Sequence, residues 1–143
     1  AAEVLHRPAD HGLTVVLTGG TRTPSDALVG PLATQALASL RVDVAVLGVH
    51  GLDLEAGLTT PNLLEAETDR ALVAAASQLV VLADHTKWGV AGLSRIVDLD
   101  QVDVLISDDA LPADAATALR EVVGTLVLVA APAHDDAAAP GSG

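Results

Sequence analysis

The segment ADHTKWG, residues 83–89, sets Asp84 at the end of an apolar run and Lys87 three residues later. A carboxylate can accept the hydroxyls of a sugar and an ammonium can take a phosphate, so one short loop offers both halves of a sugar-phosphate site. A solvent-exposed turn with an incidental lysine accounts for the same residues without a ligand. Upstream, GLTTPNLLEAETDR (57–70) holds more polar groups than a helix start needs. Thr60 before Pro61 matches a threonine cap with proline in the first turn, whereas Asn62 with Glu65 three residues later resembles a capping box begun two residues on. Only one of them can be the cap. Glu67 can pair with Arg70 on one face and so serves the helix itself. Helix stability does not explain Thr59, the spare cap, or Asp69 placed four residues after Glu65, where like charges oppose. Part of this set is therefore expected to face a ligand.

Two further loops carry candidates. In TGGTR (18–22), Gly19 and Gly20 can take positive φ, admit a ligand close to the backbone and present successive amides as an anion nest. Arg22 would point at that anion or into solvent, and a plain tight turn explains the glycine pair nearly as well. In GVHGLD (48–53), Gly48 and Gly51 bracket His50, and imidazole suits an acid, a base or a donor to a bound oxygen. A histidine that fills a loop and bonds a carbonyl is the alternative. No carboxylate beside it in sequence argues for a triad.

The elements that must position these loops follow from patterning. Short Val/Leu runs alternate with Ala-rich stretches of helical length, the pattern of an α/β fold with a mostly parallel sheet. It predicts strands at Leu13–Leu17, Val42–Leu47, Leu79–Leu82, Val102–Ile106 and Leu126–Val129, and helices at Pro31–Leu40, Asn62–Ala76 and Pro112–Val122. Ser94–Leu99 stays open between a short strand and a loop. In open parallel sheets ligands bind beyond the carboxyl ends of the strands, where TGGTRTPSD, GVHGLDLEAGLTTPN and ADHTKWG fall. SDDALP is read instead as a helix start capped by Asp108 or Asp109. Trp88, the one aromatic residue, is expected to pack over the pocket edge.

A length of 143 residues fits one domain, and its apolar half is almost all Ala, Val and Leu, so the core must be aliphatic. Zero cysteines exclude thiolate metal sites and disulfides, and His6, His11, His50, His85 and His134 are scattered, so neither a metal nor a cofactor is expected. The net charge of −12 would repel a phosphate backbone, which argues against DNA binding by this segment alone. No apolar run approaches the roughly 18–20 residues of a membrane span and no signal-peptide layout opens the chain, so a cytoplasmic protein is expected. AAEVLH looks like the last turns of a helix, and residues 132–143 read as a flexible tail.

Five stretches in order, LTGGTR, SDALVGPLATQAL, VDVAVLGVHGLDLEAGLTTPNLLEAETDRAL, VVLADHTKWG and VDVLISDDALP, resemble the effector-sensing domain of DeoR family bacterial transcriptional repressors. They cover most of residues 1–130. The resemblance implies a Rossmann-like, sugar-isomerase-like sensor that binds a phosphorylated sugar or related metabolite and changes the DNA affinity of an attached winged helix-turn-helix. It also associates the family's strand-end Asp and Lys with inducer response, matching Asp84 and Lys87, and its pocket region with Thr59, Thr60, Asn62 and Glu65. Gly19, Gly20, Arg22, His50 and Gly51 complete the expected effector site. The family's DNA-binding domain and the sensor's first strand, with its D-x-G-T-T loop, have no counterpart here. Residues 1–131 are thus expected to form a sensing domain incomplete at its N-terminus, whose bared apolar surface favours homo-oligomers. Because the family fold is similar to that of ribose-5-phosphate isomerase, an aldose–ketose isomerase using Glu65 or Glu67 as base is the alternative. A shared fold does not carry function, so a non-enzymatic sensor is expected, with a purely structural domain as a third reading.

Overall fold

The computed structural model describes residues 14–130. The helix end expected in AAEVLH, Leu13 and the tail expected at 132–143 lie outside the described residues. In chain order the elements are β1 (Thr21–Arg22), β2 (Leu28–Val29), α1 (Pro31–Ala38), β3 (Val42–Gly48), β4 (Gly51–Asp53), β5 (Gly57–Thr60), α2 (Leu63–Ala75), β6 (Ala76–Leu82), β7 (Ser94–Val97), β8 (Val104–Asp108), α3 (Ala113–Val122) and β9 (Thr125–Val129). A parallel sheet runs in the order β3-β6-β8-β9, a smaller sheet in the order β4-β5-β7, and β1 pairs with β2. The small sheet and the hairpin are antiparallel. The fold is the α/β architecture, with a parallel sheet flanked by helices, that the sequence pattern predicts.

The core forms where β3, β6 and β8 turn alternate residues inward. Ala45, Leu47, Leu79, Val81 and Leu105 meet Leu52, Leu58 and Leu99 from the smaller sheet and its loops, and Ala115, Ala116 and Leu119 from α3. Leu52, Leu58, Leu105 and Leu119 are the largest of the fully buried side chains, each contributing about 1.5–3 kcal/mol through burial. Trp88 packs against this core and bridges to Leu52, rather than lining the pocket edge. The opposite face of the parallel sheet is apolar too, yet Val44, Val46 and Leu82 are 44%, 58% and 46% exposed. Parallel sheets ordinarily have both faces covered, and among the described residues nothing covers this one.

Three further expectations are corrected. Residues 14–17 form no strand; Val16 and Leu17 are 80% and 57% exposed, and strand propensity is not enough where no strand pairs with them among the described residues. GLTT, read above as loop, is β5, buried along its whole length between β4 and β7. Helix α3 begins at Pro112 without a side-chain cap, because Asp108 is drawn away to residue 85.

Candidate functional site

Helix α2 begins because Asn62, in extended conformation, accepts hydrogen bonds from the backbone N–H of Leu64 at 3.0 Å and of Glu65 at 3.2 Å. Asn62 is thus the cap, and Thr60 is released for other work. Its hydroxyl accepts from Asn62 N–H at 3.3 Å and donates to Glu65 Oε2 at 3.1 Å. Glu65 does not close a capping box. Its other oxygen takes the Ser25 hydroxyl at 2.5 Å, and Ser25 in turn shares a hydrogen bond with Thr23 at 2.8 Å. Burial raises the Glu65 pKa, but the hydroxyls of Ser25, Thr23 and Thr60 and the charge of His50 outweigh it, leaving the carboxyl below its usual range.

These bonds tie the β1–β2 turn to the start of α2. The turn is closed by Thr23 and Ala27, with Asp26 at φ 65, a left-handed conformation aspartate tolerates. Between this turn, α2 and the carboxyl ends of β3 and β6 lies a cleft of about 770 Å³, inside the roughly 300–1,000 Å³ of small-molecule sites. Gly48, Val49 and His50 line it after β3, and Asp84 and Lys87 after β6. Thr60, Asn62, Glu65 and Asp69 face it from β5 and α2, and Pro24 and Ser25 from the turn.

Asp84 caps the short 3-10 turn His85–Lys87, accepting from Thr86 N–H at 2.8 Å and from the Thr86 hydroxyl. The Thr86 side-chain bond, more than any other influence, holds its carboxyl below the usual range, with the charges of Lys87 and His85 adding to it. Behind the loop, Asp108 accepts from His85 N–H at 2.9 Å, from the imidazole Nδ1 at 2.8 Å and from Ala110 N–H at 3.0 Å. The His85 backbone bond is the largest of the influences that lower the Asp108 pKa. Asp84, His85 and Asp108 each bring a possible metal-ligand atom within 4.8 Å of the others. Asp108 fastens the loop to β8 through His85, and Asp84 closes the turn through Thr86, so the arrangement positions Lys87.

Asp69, one turn after Glu65, also faces the cleft, and burial followed by the charge of Glu65 pushes its pKa from 3.8 to about 7. It belongs to the site although the sequence reading placed no role on it beyond noting that helix stability did not need it. Ser25 and Pro24 were missed because a Thr-Pro-Ser-Asp turn reads as turn chemistry alone.

Six expected residues, His50, Thr60, Asn62, Glu65, Asp84 and Lys87, meet at the cleft. Five do not line it. Arg22 pairs with Asp26 at 2.7 Å on the surface, and Gly19 and Gly20 precede β1. Gly20 has φ 109, and a Cβ there would lie 2.5 Å from the Val29 carbonyl, so its glycine is a packing requirement. Gly51 is buried where a Cβ would lie 2.1 Å from the Val90 carbonyl, and Thr59 accepts from Gly92 N–H at 2.8 Å, both facing the 90–92 loop. Arg70 donates to the Arg95 carbonyl at 2.5 Å, and no ion pair joins it to Glu67 among the described residues.

The family described as "DeoR C terminal sensor domain" matches residues 1–109. The chain belongs to the DeoR family of sensor domains. Relatives of this DeoR sensor domain include a putative aga operon transcriptional repressor of Escherichia coli O157:H7, 34% identical over 82% of the chain and 44% of the relative. HTH-type transcriptional regulator GlpR of Haloferax volcanii is 38% identical over 79% of the chain and 45% of the relative. The glycerol-3-phosphate regulon repressor of Haemophilus influenzae is 25% identical over 90% of the chain and 49% of the relative. The DeoR sensor domain thus spans less than half the length of these curated relatives, which are transcriptional regulators.

Proposed function

We propose that this domain binds a phosphorylated sugar or related metabolite in the cleft and so controls DNA binding by a helix-turn-helix outside this chain. The observation that carries the reading is the convergence of Lys87 with Asp84, Asn62 and Glu65 on one cleft at the carboxyl ends of parallel strands. Lys87 would take the phosphate, and the carboxylates and Asn62 would take hydroxyls. One relative is named for the regulon of glycerol-3-phosphate, a phosphorylated polyol, which supports a ligand of this kind. Such a role belongs in the cytoplasm, and the uncovered sheet face supports a homo-oligomer. Thermal unfolding with a panel of sugar phosphates and their unphosphorylated parents tests the reading. A phosphorylated ligand at 100 times its Kd should add about 2.7 kcal/mol, and a panel without any shift counts against it.

The isomerase reading has one observation in its favour, Asp69, a carboxyl near 7 facing the cleft and so near the best pKa for a base at neutral pH. Glu65 is a poor base by the same measure, and Glu67 does not line the cleft. Turnover of a pentose or hexose phosphate that is lost in Asp69→Asn would establish isomerisation. Inactivity across the panel, with binding retained, supports the non-enzymatic sensor.

A further inference from the structure

We propose that the cleft takes a zwitterionic ligand, a phosphorylated amino sugar whose phosphate meets Lys87 and whose ammonium meets Asp69 beside Glu65. This rests on the sensor reading above and names the ligand class within it. Two charged side chains face the cleft without a hydrogen-bonding or ion-pair partner among the described residues. Lys87 uses its backbone to close the turn, accepting from Val90 N–H and donating to Asp84, and its ammonium is left over. Asp69 likewise has no donor for its carboxyl. The other carboxylates are partly engaged, Glu65 by two hydroxyls and Asp84 by Thr86. The two unpaired groups sit on different walls, Lys87 on the loop after β6 and Asp69 on α2.

A neutral sugar phosphate would satisfy Lys87 but leave Asp69 with hydroxyl donors only, while removing it further from water. Burying a carboxylate costs heavily unless it is paired, and a charge-assisted hydrogen bond is roughly twice as strong as a neutral one. An ammonium supplies that partner. Glu65, one turn before Asp69 on the same face, adds attraction for the cation and repels the phosphate, so the ligand has a single favoured direction.

The same geometry makes the preference depend on pH. Asp69 is faced by Glu65 on α2, with the charge of Arg70 next to it in sequence, by Asp26 across a neighbouring hollow, and across the cleft by His50, Asp84 and Lys87. With Asp69 titrating at about 7, an arriving ammonium draws off its proton, whereas a neutral hydroxyl does not. The advantage of the amine over its neutral counterpart therefore grows between roughly pH 6 and 7.5.

Calorimetric titration of the protein with 2-amino-2-deoxyhexose 6-phosphates, the matching hexose 6-phosphates and the N-acetylated hexosamine 6-phosphates, in both gluco and galacto series, tests this. One amino sugar phosphate should bind about tenfold tighter than its neutral counterparts at pH 7.5, with a smaller ratio at pH 6. In Asp69→Asn the ratio of amine to hexose phosphate affinity should fall to about one at both pH values; the change removes a desolvated charge, and a single cooperative unfolding transition, no lower than that of the unaltered protein, confirms the fold. Equal affinities, or an amine preference that survives Asp69→Asn, would overturn the proposal and leave the sensor reading standing. Failure of every phosphate to bind would overturn both.

Discussion

Lys87 brings an ammonium to the cleft from a turn whose other polar groups are tied down. Lys87→Ala should weaken a phosphate-bearing ligand by about 1.5–3 kcal/mol, the worth of a charge-assisted hydrogen bond, and leave the melting temperature alone. Titration calorimetry reads the first effect, and an unchanged affinity would remove the phosphate from that wall. Asp69 gives a second test, on stability. Its folded pKa of about 7 lies above the unfolded value of 3.8, so the native state keeps a proton that the unfolded chain releases in between. Stability from this group is therefore greatest at low pH and falls as pH rises from about 4 to 7. Asp69→Asn should raise stability at pH 7.5 on the order of 2 kcal/mol, allowing for partial solvent access, and by less at pH 5. A gain that is equal at both pH values, or a loss at 7.5, would mean that Asp69 is ionised at no cost. Asp84 and Lys87 were legible from three-residue spacing alone, because both sit on one loop. Asp69 was legible only as an anomaly, since its surroundings come from α1, α2 and the hairpin turn, and sequence spacing within one helix cannot show them.

At the scale of elements, the start of α2 decides what its first turn can do. Because Asn62 does the capping, Thr60 and Glu65 are available to hold the β1–β2 turn through Ser25. Asn62→Ala should cost about 1 kcal/mol in stability, the usual loss for a cap, whereas Thr60→Ala leaves the cap intact. Amide hydrogen exchange at Leu64 and Glu65 checks this: protection should fall in Asn62→Ala and persist in Thr60→Ala, and an equal fall in both would mean that the capping role is shared. Sequence alone held both caps open, since each satisfies the same local rule, and only the hydrogen bonds that Asn62 accepts from Leu64 and Glu65 N–H choose between them. The parallel strands were legible because continuous Val/Leu runs have few alternatives. Residues 57–60 were not, because Gly-Leu-Thr-Thr has neither the run nor the alternation of a strand and becomes one by pairing with β4 and β7. The reverse holds at residues 14–17, where the strand pattern is present and no partner strand is found among the described residues.

For the molecule as a whole, the unbalanced feature is the sheet. Its inner face is packed by α3 and the smaller sheet, while Val44, Val46, Leu82, Val127 and Val129 stay exposed on the other side. An apolar surface of this kind on a chain with a net charge of −12 is not needed for solubility and marks a contact. If copies of the chain meet there, a lysine in the middle of the face disrupts the association without disturbing the fold, because Val46 is already 58% exposed. Val46→Lys should therefore change the stability of the single chain by less than about 0.5 kcal/mol, as surface substitutions usually do. Sedimentation velocity should find the unaltered protein heavier than its 14.3 kDa chain and Val46→Lys shifted toward that mass. A protein that sediments as a single chain before any substitution would assign the face to something other than a second copy. A Val46→Lys variant destabilised by several kcal/mol would show instead that the same chain covers the face, since only a buried lysine costs that much.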